Sequence, residues 1–127
     1  MGEIQIRVRY AETDQMGFLH HANYLVYFEQ GRVELLRSRD MSYKDIESQG
    51  YFLVIARANV RYIRPARYDD LLTVRTHVVR ATGARIDHRY EVLRDGELIA
   101  EGETTLACVD RDGRLQRIPE PLRTTDV

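Results

Sequence analysis

The chain has 127 residues, 43% of them hydrophobic and 31% charged, which is enough apolar material for one compact domain and too little for a second. Its 19 basic residues nearly balance 20 acidic ones, so a duplex-coating protein and an acidic disordered tail both lack support, and no nucleic-acid partner is expected. The longest apolar run, Tyr51 to Ala56, falls far short of the roughly 20 residues of a membrane span, and Met1 to Tyr10 lacks the apolar core of a secretory signal, so a cytoplasmic protein is expected.

Ile4, Ile6, Val8 and Tyr10 alternate with Gln5, Arg7 and Arg9, a period of two that predicts a first strand with one wet face. From Ala22 to Arg37 the period becomes helical: Tyr24, Phe28, Gly31 and Leu35 share a face, while Leu25, Val26 and Tyr27 put apolar groups on others, which predicts a mostly buried helix. Gly31 costs a helix interior about 1 kcal/mol relative to Ala; a sheet that approaches closely at the missing side chain offsets this. Ser42 to Gly50 reads as a short helix, with Ser42 as N-cap, Asp45 three residues on and Gly50 as its stop. Four strand-like stretches follow, at 51–63, 71–80, 84–94 and 97–109. Asp95-Gly96 joins the last two as a type I′ hairpin, Asp112-Gly113 marks a further turn, and Pro119 and Pro121 fit an irregular tail. One strand before the long helix and four after it, without βαβ alternation, predict an α+β fold with an antiparallel sheet curled around the helix.

Chemistry is sought between Tyr10 and Ala22. Asp14 precedes a tight segment that Gly17 permits, and His21 falls near the first turn of the buried helix, where backbone N–H groups lack partners within the helix. A carboxylate beside such a donor suits acyl transfer: the carboxylate activates water or attacks a carbonyl, and the N–H holds the oxyanion. Asp before a helix is also the common choice for a cap or turn, and the residues alone leave both readings open.

The pattern Asp14-x-x-Gly17-x-x-x-His21-x-x-Tyr24, followed by Phe28-Glu29-x-x-Arg32-x-Glu34, resembles the 4-hydroxybenzoyl-CoA thioesterase family, particularly its bacterial acyl-CoA thioesterases of the Tol-Pal-cluster type. Tyr62-x-x-Pro65-Ala66-x-Tyr68-x-Asp70 extends the resemblance to the exit of the second strand. It implies one hotdog domain over residues 1–127, a five-stranded antiparallel sheet wrapped around a long central helix, in homodimers or tetramers whose sites lie between subunits. It further implies Asp14 as catalytic carboxylate, the His21 backbone N–H as oxyanion donor, and Gly17 and Tyr24 at the substrate. Basic residues at the turn between the third and fourth strands would meet the nucleotide of coenzyme A, Arg85 first and Arg80 second.

Other groups read more simply. Glu29 and Arg32, at i and i+3, are expected to pair, with Glu29 the fallback catalyst if Asp14 fails. Cys108 reads as a small buried hydrophobe, without a disulfide partner or zinc spacing. His20, His77 and His88 have no metal-ligand spacing, and nucleophile-elbow, P-loop and dinucleotide motifs are absent. Arg57, Arg61, Arg64 and Arg67 form a second basic group that the site for a phosphorylated ligand could draw on. The expected activity is hydrolysis of an acyl-CoA or acyl-carrier-protein thioester to the free acid and thiol, without metal or cofactor. A leaving thiol of pKa about 8.5 spares the enzyme a strong general acid. The alternatives are a non-catalytic acyl-CoA-binding module, which does not require a carboxylate at the thioester, and an enoyl-thioester hydratase.

Overall fold

The computed structural model describes residues 1–126. Its elements are β1 (Gly2–Arg7), α1 (Asn23–Arg37), α2 (Tyr43–Ser48), β2 (Phe52–Tyr62), β3 (Leu71–Ala81), β4 (Ile86–Arg94), β5 (Glu97–Val109) and β6 (Leu115–Gln116), with 3-10 turns at Tyr10–Glu12 and Glu120–Leu122. Alternation sorts the strands into two faces. Leu72, Val74, Thr76 and Val78 of β3 turn inward with Ile86, His88, Tyr90 and Val92 of β4, while Arg75, His77, Asp87, Arg89 and Glu91 point outward. All pairings are antiparallel, in the order β1-β3-β4-β5-β2. The expected hotdog arrangement of sheet and helix is present.

Two boundaries differ from expectation. The first strand stops at Arg7, and Tyr10, 77% exposed, enters a turn instead, because the Glu12 carboxylate accepts the Arg9 N–H at 2.9 Å and bends the chain away. The sheet also gains a sixth strand: β4 pairs with β5 only as far as Ile86 opposite Leu106, and β6 takes Cys108 and Val109 beyond that point. The tail predicted as irregular thus returns to the core, where Ile118 and Leu122 are buried and the Ile118 N–H donates to the Gly83 carbonyl.

The sheet closes on one face of α1, through Tyr24, Tyr27, Phe28, Gly31 and Leu35. Phe28 stacks on Tyr90 with ring centroids 4.2 Å apart. At Gly31 the sheet comes so near that a methyl group would fall inside the contact radius of the Thr76 hydroxyl. The opposite face is left open, with Leu25 and Val26 at 41% and 44% exposure, so α1 is less buried than its sequence predicts. Ser42 caps α2 by accepting the Asp45 N–H at 3.1 Å. Cys108 is fully buried.

Gly31→Ala should destabilise the protein by about 1–3 kcal/mol in urea unfolding, because overpacking against Thr76 outweighs the roughly 1 kcal/mol gained in helix propensity. In a Thr76→Ala background, which removes the obstructing hydroxyl, the same change should be neutral or stabilising. A wild-type midpoint for Gly31→Ala alone would show that the approach is not a constraint.

Burial holds His88 neutral, with its pKa lowered to about 3, and its Nδ1 has no partner among the described residues. An unfolded imidazole titrates near 6.5, so as pH falls the unfolded chain takes up this proton before the folded one does. Stability should therefore decline from about pH 6.5 toward 3, by at most about 1.4 kcal/mol per pH unit. The buried Glu12, whose pKa is lowered from 4.5, adds its loss only in more acidic solution. His88→Gln should flatten the urea midpoint between pH 5 and 6.5; an unchanged slope would contradict this account.

Candidate active site

The loop after β1 is closed by bridges between Thr13 and Leu19 and between Phe18 and Arg67. Asp14 organises its tip. The Oδ1 atom accepts the N–H groups of Met16 at 2.9 Å and Phe18 at 3.1 Å, the Asp14 N–H donates to the Phe18 carbonyl, and Gly17 turns the chain at φ +80°. Oδ1 thus holds the loop, and Oδ2 has no partner among the described residues.

The loop is pinned from below by Glu12. This buried carboxylate accepts the Arg9 N–H and the Tyr27 hydroxyl, the latter at 2.8 Å, and those bonds hold its pKa low against the opposing effect of burial. Tyr27 responds in the opposite sense: burial and the adjacent carboxylate push its phenol up strongly. The Glu12 carbonyl in turn accepts the His20 N–H at 2.8 Å and the Asn23 side chain at 3.0 Å, which ties Asp14's loop to the start of α1.

At that start no side chain caps the helix, and the His21 and Ala22 N–H groups donate to no acceptor among the described residues. The Tyr62 hydroxyl, at the end of β2, donates to the His21 carbonyl at 2.9 Å and holds the segment in place. Asp14, His21, Tyr24, Tyr62, Ile63 and Arg64 line one cleft of about 320 Å³. Tyr24 forms its inner wall, edge-on to Tyr62 with centroids 5.1 Å apart.

Residues 8–125 match the model of the thioesterase-like superfamily. The chain belongs to that superfamily. It is 36% identical over 109 residues to a Bacillus subtilis (strain 168) protein provisionally named acyl-CoA thioesterase YneP, covering 85% of this chain and 79% of that one. It is 32% identical over 117 residues to the acyl-CoA thioesterase YbgC of Haemophilus influenzae, covering 91% and 85% of the two chains. Among solved structures, the DHNA-CoA thioesterase of Staphylococcus aureus superposes with a TM-score of 0.89 at 34% identity, over 91% of this chain and 79% of that one.

Within this superfamily framework, the remaining sequence-predicted residues fall in different places. Gly17 shapes the turn and faces a shallow hollow on the far side of the loop, beside Tyr10 and Tyr68, and does not line the cleft shared by Asp14 and His21. Arg80 and Arg85 lie at the other end of the sheet. Ile86 is level with Leu106 of β5, and Tyr62 with Ala100, a separation of about 20 Å along the strand. Arg85 lines a hollow of about 320 Å³ on the outer face with Arg57 and Arg89, and pairs with Asp87 at 3.2 Å.

The expected Glu29–Arg32 pair does not form. Arg32 is drawn inward, where its Nη1 donates to the Tyr90 hydroxyl at 3.0 Å. In the second basic group, Arg61 and Arg64 are paired with Glu101 and Glu97, and Arg67 stacks on the Phe18 ring. Glu12 and the Tyr62 hydroxyl escaped sequence reasoning, because a Glu in a polar loop and a Tyr at a strand end carry no local mark of their distant partners. Among the described residues, no helix is long and apolar enough to cross a membrane.

Proposed function

We propose that this chain is an acyl-CoA thioesterase that hydrolyses its substrate to free acid and coenzyme A, with Asp14 as the reacting carboxylate and the His21 N–H as oxyanion donor. The observation that carries the reading is the unpartnered Asp14 Oδ2 in one cleft with an unpartnered N–H at a helix start. Asp14 acting as general base takes a proton from water as the hydroxide adds to the thioester carbon. The carbonyl oxygen becomes an oxyanion held by the His21 N–H, the tetrahedral centre collapses, the C–S bond breaks, and the proton passes to the departing thiolate. Attack by Asp14 itself would give an anhydride that water then cleaves, using the same two groups.

Asp14→Asn keeps an oxygen for the Met16 and Phe18 N–H groups, so the fold should persist while kcat falls at least roughly 100-fold. His21→Ala should be milder, since the backbone donor survives. Thiol release from a panel of acyl-CoAs, with purified variants, measures both effects. Near-wild-type turnover by Asp14→Asn would move the assignment to Glu29. Loss of enoyl absorbance without thiol release would favour a hydratase, and binding without either signal a non-catalytic module.

The reading includes a homodimer. β2 is an edge strand of 11 residues with exposed Val54 and Ile55, an open ladder that soluble proteins rarely leave uncovered. Antiparallel pairing of β2 with its copy covers that edge and carries the partner's Arg85 end toward Asp14, which supplies the phosphate contact that the distance within one protomer forbids. Sedimentation should give a dimer at micromolar concentration, and Arg85→Ala should raise KM for acyl-CoA about fivefold with kcat unchanged. An acyl-pantetheine thioester, lacking the nucleotide, should be hydrolysed as by wild type. A stable active monomer would refute the shared site, and equal impairment on both substrates would make Arg85 a structural residue.

A further inference from the structure

The His21 carbonyl stands at an irregular point of the chain. On one side of it the Asn23 N–H donates to the His20 carbonyl at 3.0 Å, and on the other the Leu25 N–H donates to the Ala22 carbonyl at 3.2 Å. Between these two bonds the Tyr24 N–H reaches the His21 carbonyl only at 3.4 Å, beyond the usual hydrogen-bond range. The nearer donor to that carbonyl is the Tyr62 hydroxyl at 2.9 Å, 41 residues away. The backbone of the first turn therefore holds the His21–Ala22 peptide loosely, and a side chain from β2 sets its tilt.

A trans peptide carries its C=O and N–H on opposite sides. Holding the His21 carbonyl thus aims the Ala22 N–H away from Tyr62 and, through the Cα of His21, restrains the His21 N–H as well. These are the two N–H groups at the helix start that donate to no acceptor among the described residues.

Tyr62 is itself firmly seated. It pairs with Ala100 of β5, and just beyond it the Ile99 carbonyl accepts the N–H groups of Ile63 at 2.9 Å and Arg64 at 3.0 Å. Its ring lies edge-on against the buried Tyr24, whose hydroxyl accepts the Ala66 N–H. The Ala66 carbonyl accepts the Leu19 N–H at 2.8 Å, which ties the same assembly to the loop of Asp14. Partial burial pushes the Tyr62 phenol up from its ordinary value near 10, so it stays a neutral donor through the neutral range.

We propose that Tyr62 is a positioning residue for the thioester reaction, its hydroxyl holding the His21–Ala22 peptide so that the oxyanion donor faces the carbonyl oxygen as charge develops there. The inference rests on the thioesterase reading, in which the His21 N–H is that donor. Tyr62 touches no reacting atom in this role. An aligned N–H bonds an oxyanion more strongly than a neutral carbonyl, so the contribution of Tyr62 falls on the transition state and not on substrate binding.

Tyr62→Phe removes one oxygen and keeps the ring against Tyr24. On an acyl-CoA that the wild-type protein hydrolyses, kcat should fall about tenfold while KM stays within about twofold. An analogue with a methylene group in place of the thioester sulfur reports the alignment directly. Its bound carbonyl should absorb at a lower infrared frequency in the wild-type protein than in Tyr62→Phe, because a well-aimed donor weakens the C=O bond. Tyr62→3,5-difluorotyrosine keeps the test decisive if Tyr62→Phe does not fold. Its phenol ionises near neutrality, so the donor is lost and kcat should decline from about pH 6 to 9 more steeply than in the wild-type protein. An unchanged kcat in Tyr62→Phe, a loss carried by KM, equal carbonyl frequencies, or a wild-type pH profile in the fluorinated protein would overturn the proposal and leave the thioesterase reading standing. Thiol release by the wild-type protein from none of a panel of acyl-CoAs would refute that reading and the proposal with it.

Discussion

The seating of α1 in the sheet is the contact from which the rest of this structure follows. A sheet can wrap a helix closely only where the helix surface is low, and Gly31 supplies that point against Thr76 while Phe28 and Tyr90 stack beside it. These contacts fix both the rotation of α1 and its position along the sheet. The start of the helix consequently lies at the end of β2, where Tyr62 reaches the His21 carbonyl, and its own side chains cover the inward faces of β3 and β4. Close packing has a polar cost: Thr76 Oγ1 and His88 Nδ1 are both buried without partners among the described residues. His88 meets that cost by remaining neutral.

Two carboxylates two residues apart have been given opposite environments by this packing. Glu12 points inward to the Tyr27 hydroxyl and is enclosed, whereas Asp14 points out at the tip of the turn. The inward one acts on the outward one through the backbone, since the Glu12 carbonyl holds His20 and Asn23 and thereby fixes the spacing between Asp14 and the helix start. The role proposed for Asp14 needs such a tether, because loop motion of even an ångström would spoil the alignment between an attacking group and an oxyanion donor.

What could be read from the sequence was what short-range pattern encodes. The period of α1, the Ser42 cap, the Asp95-Gly96 hairpin and the long edge strand near 51–63 all depend on neighbours within a few residues. So does the grouping of Asp14 and His21, seven positions apart on one loop. Features fixed by distant partners were not legible. The i, i+3 spacing allows Glu29 to pair with Arg32, but Tyr90, 58 residues away from Arg32, draws the guanidinium inward. Arg85 carries a suitable charge in a suitable turn, yet only the strand register reveals that it stands at the wrong end of its own protomer. The β6 strand appears only because β4 is shorter than β5, a mismatch that no local pattern in 115–116 announces.

The direction of α1 relative to β2 gives the open edge its meaning. Helix and strand run antiparallel on the same face, so the start of α1 stands over the end of β2 and the later turns of α1 stand over its beginning. The two ends of one free edge are therefore unlike: one presents Asp14 and the N–H groups at the start of α1, the other an apolar hollow beside the Arg32 guanidinium. A partner that added parallel to this edge would set like ends together, doubling the carboxylates at one end and the hollows at the other. A two-fold axis through the middle of β2 does the opposite, joining unlike ends twice with the same set of contacts. If the edge is covered by a copy of the chain, antiparallel pairing is thus the arrangement that makes two complete and equivalent clefts from two incomplete ones.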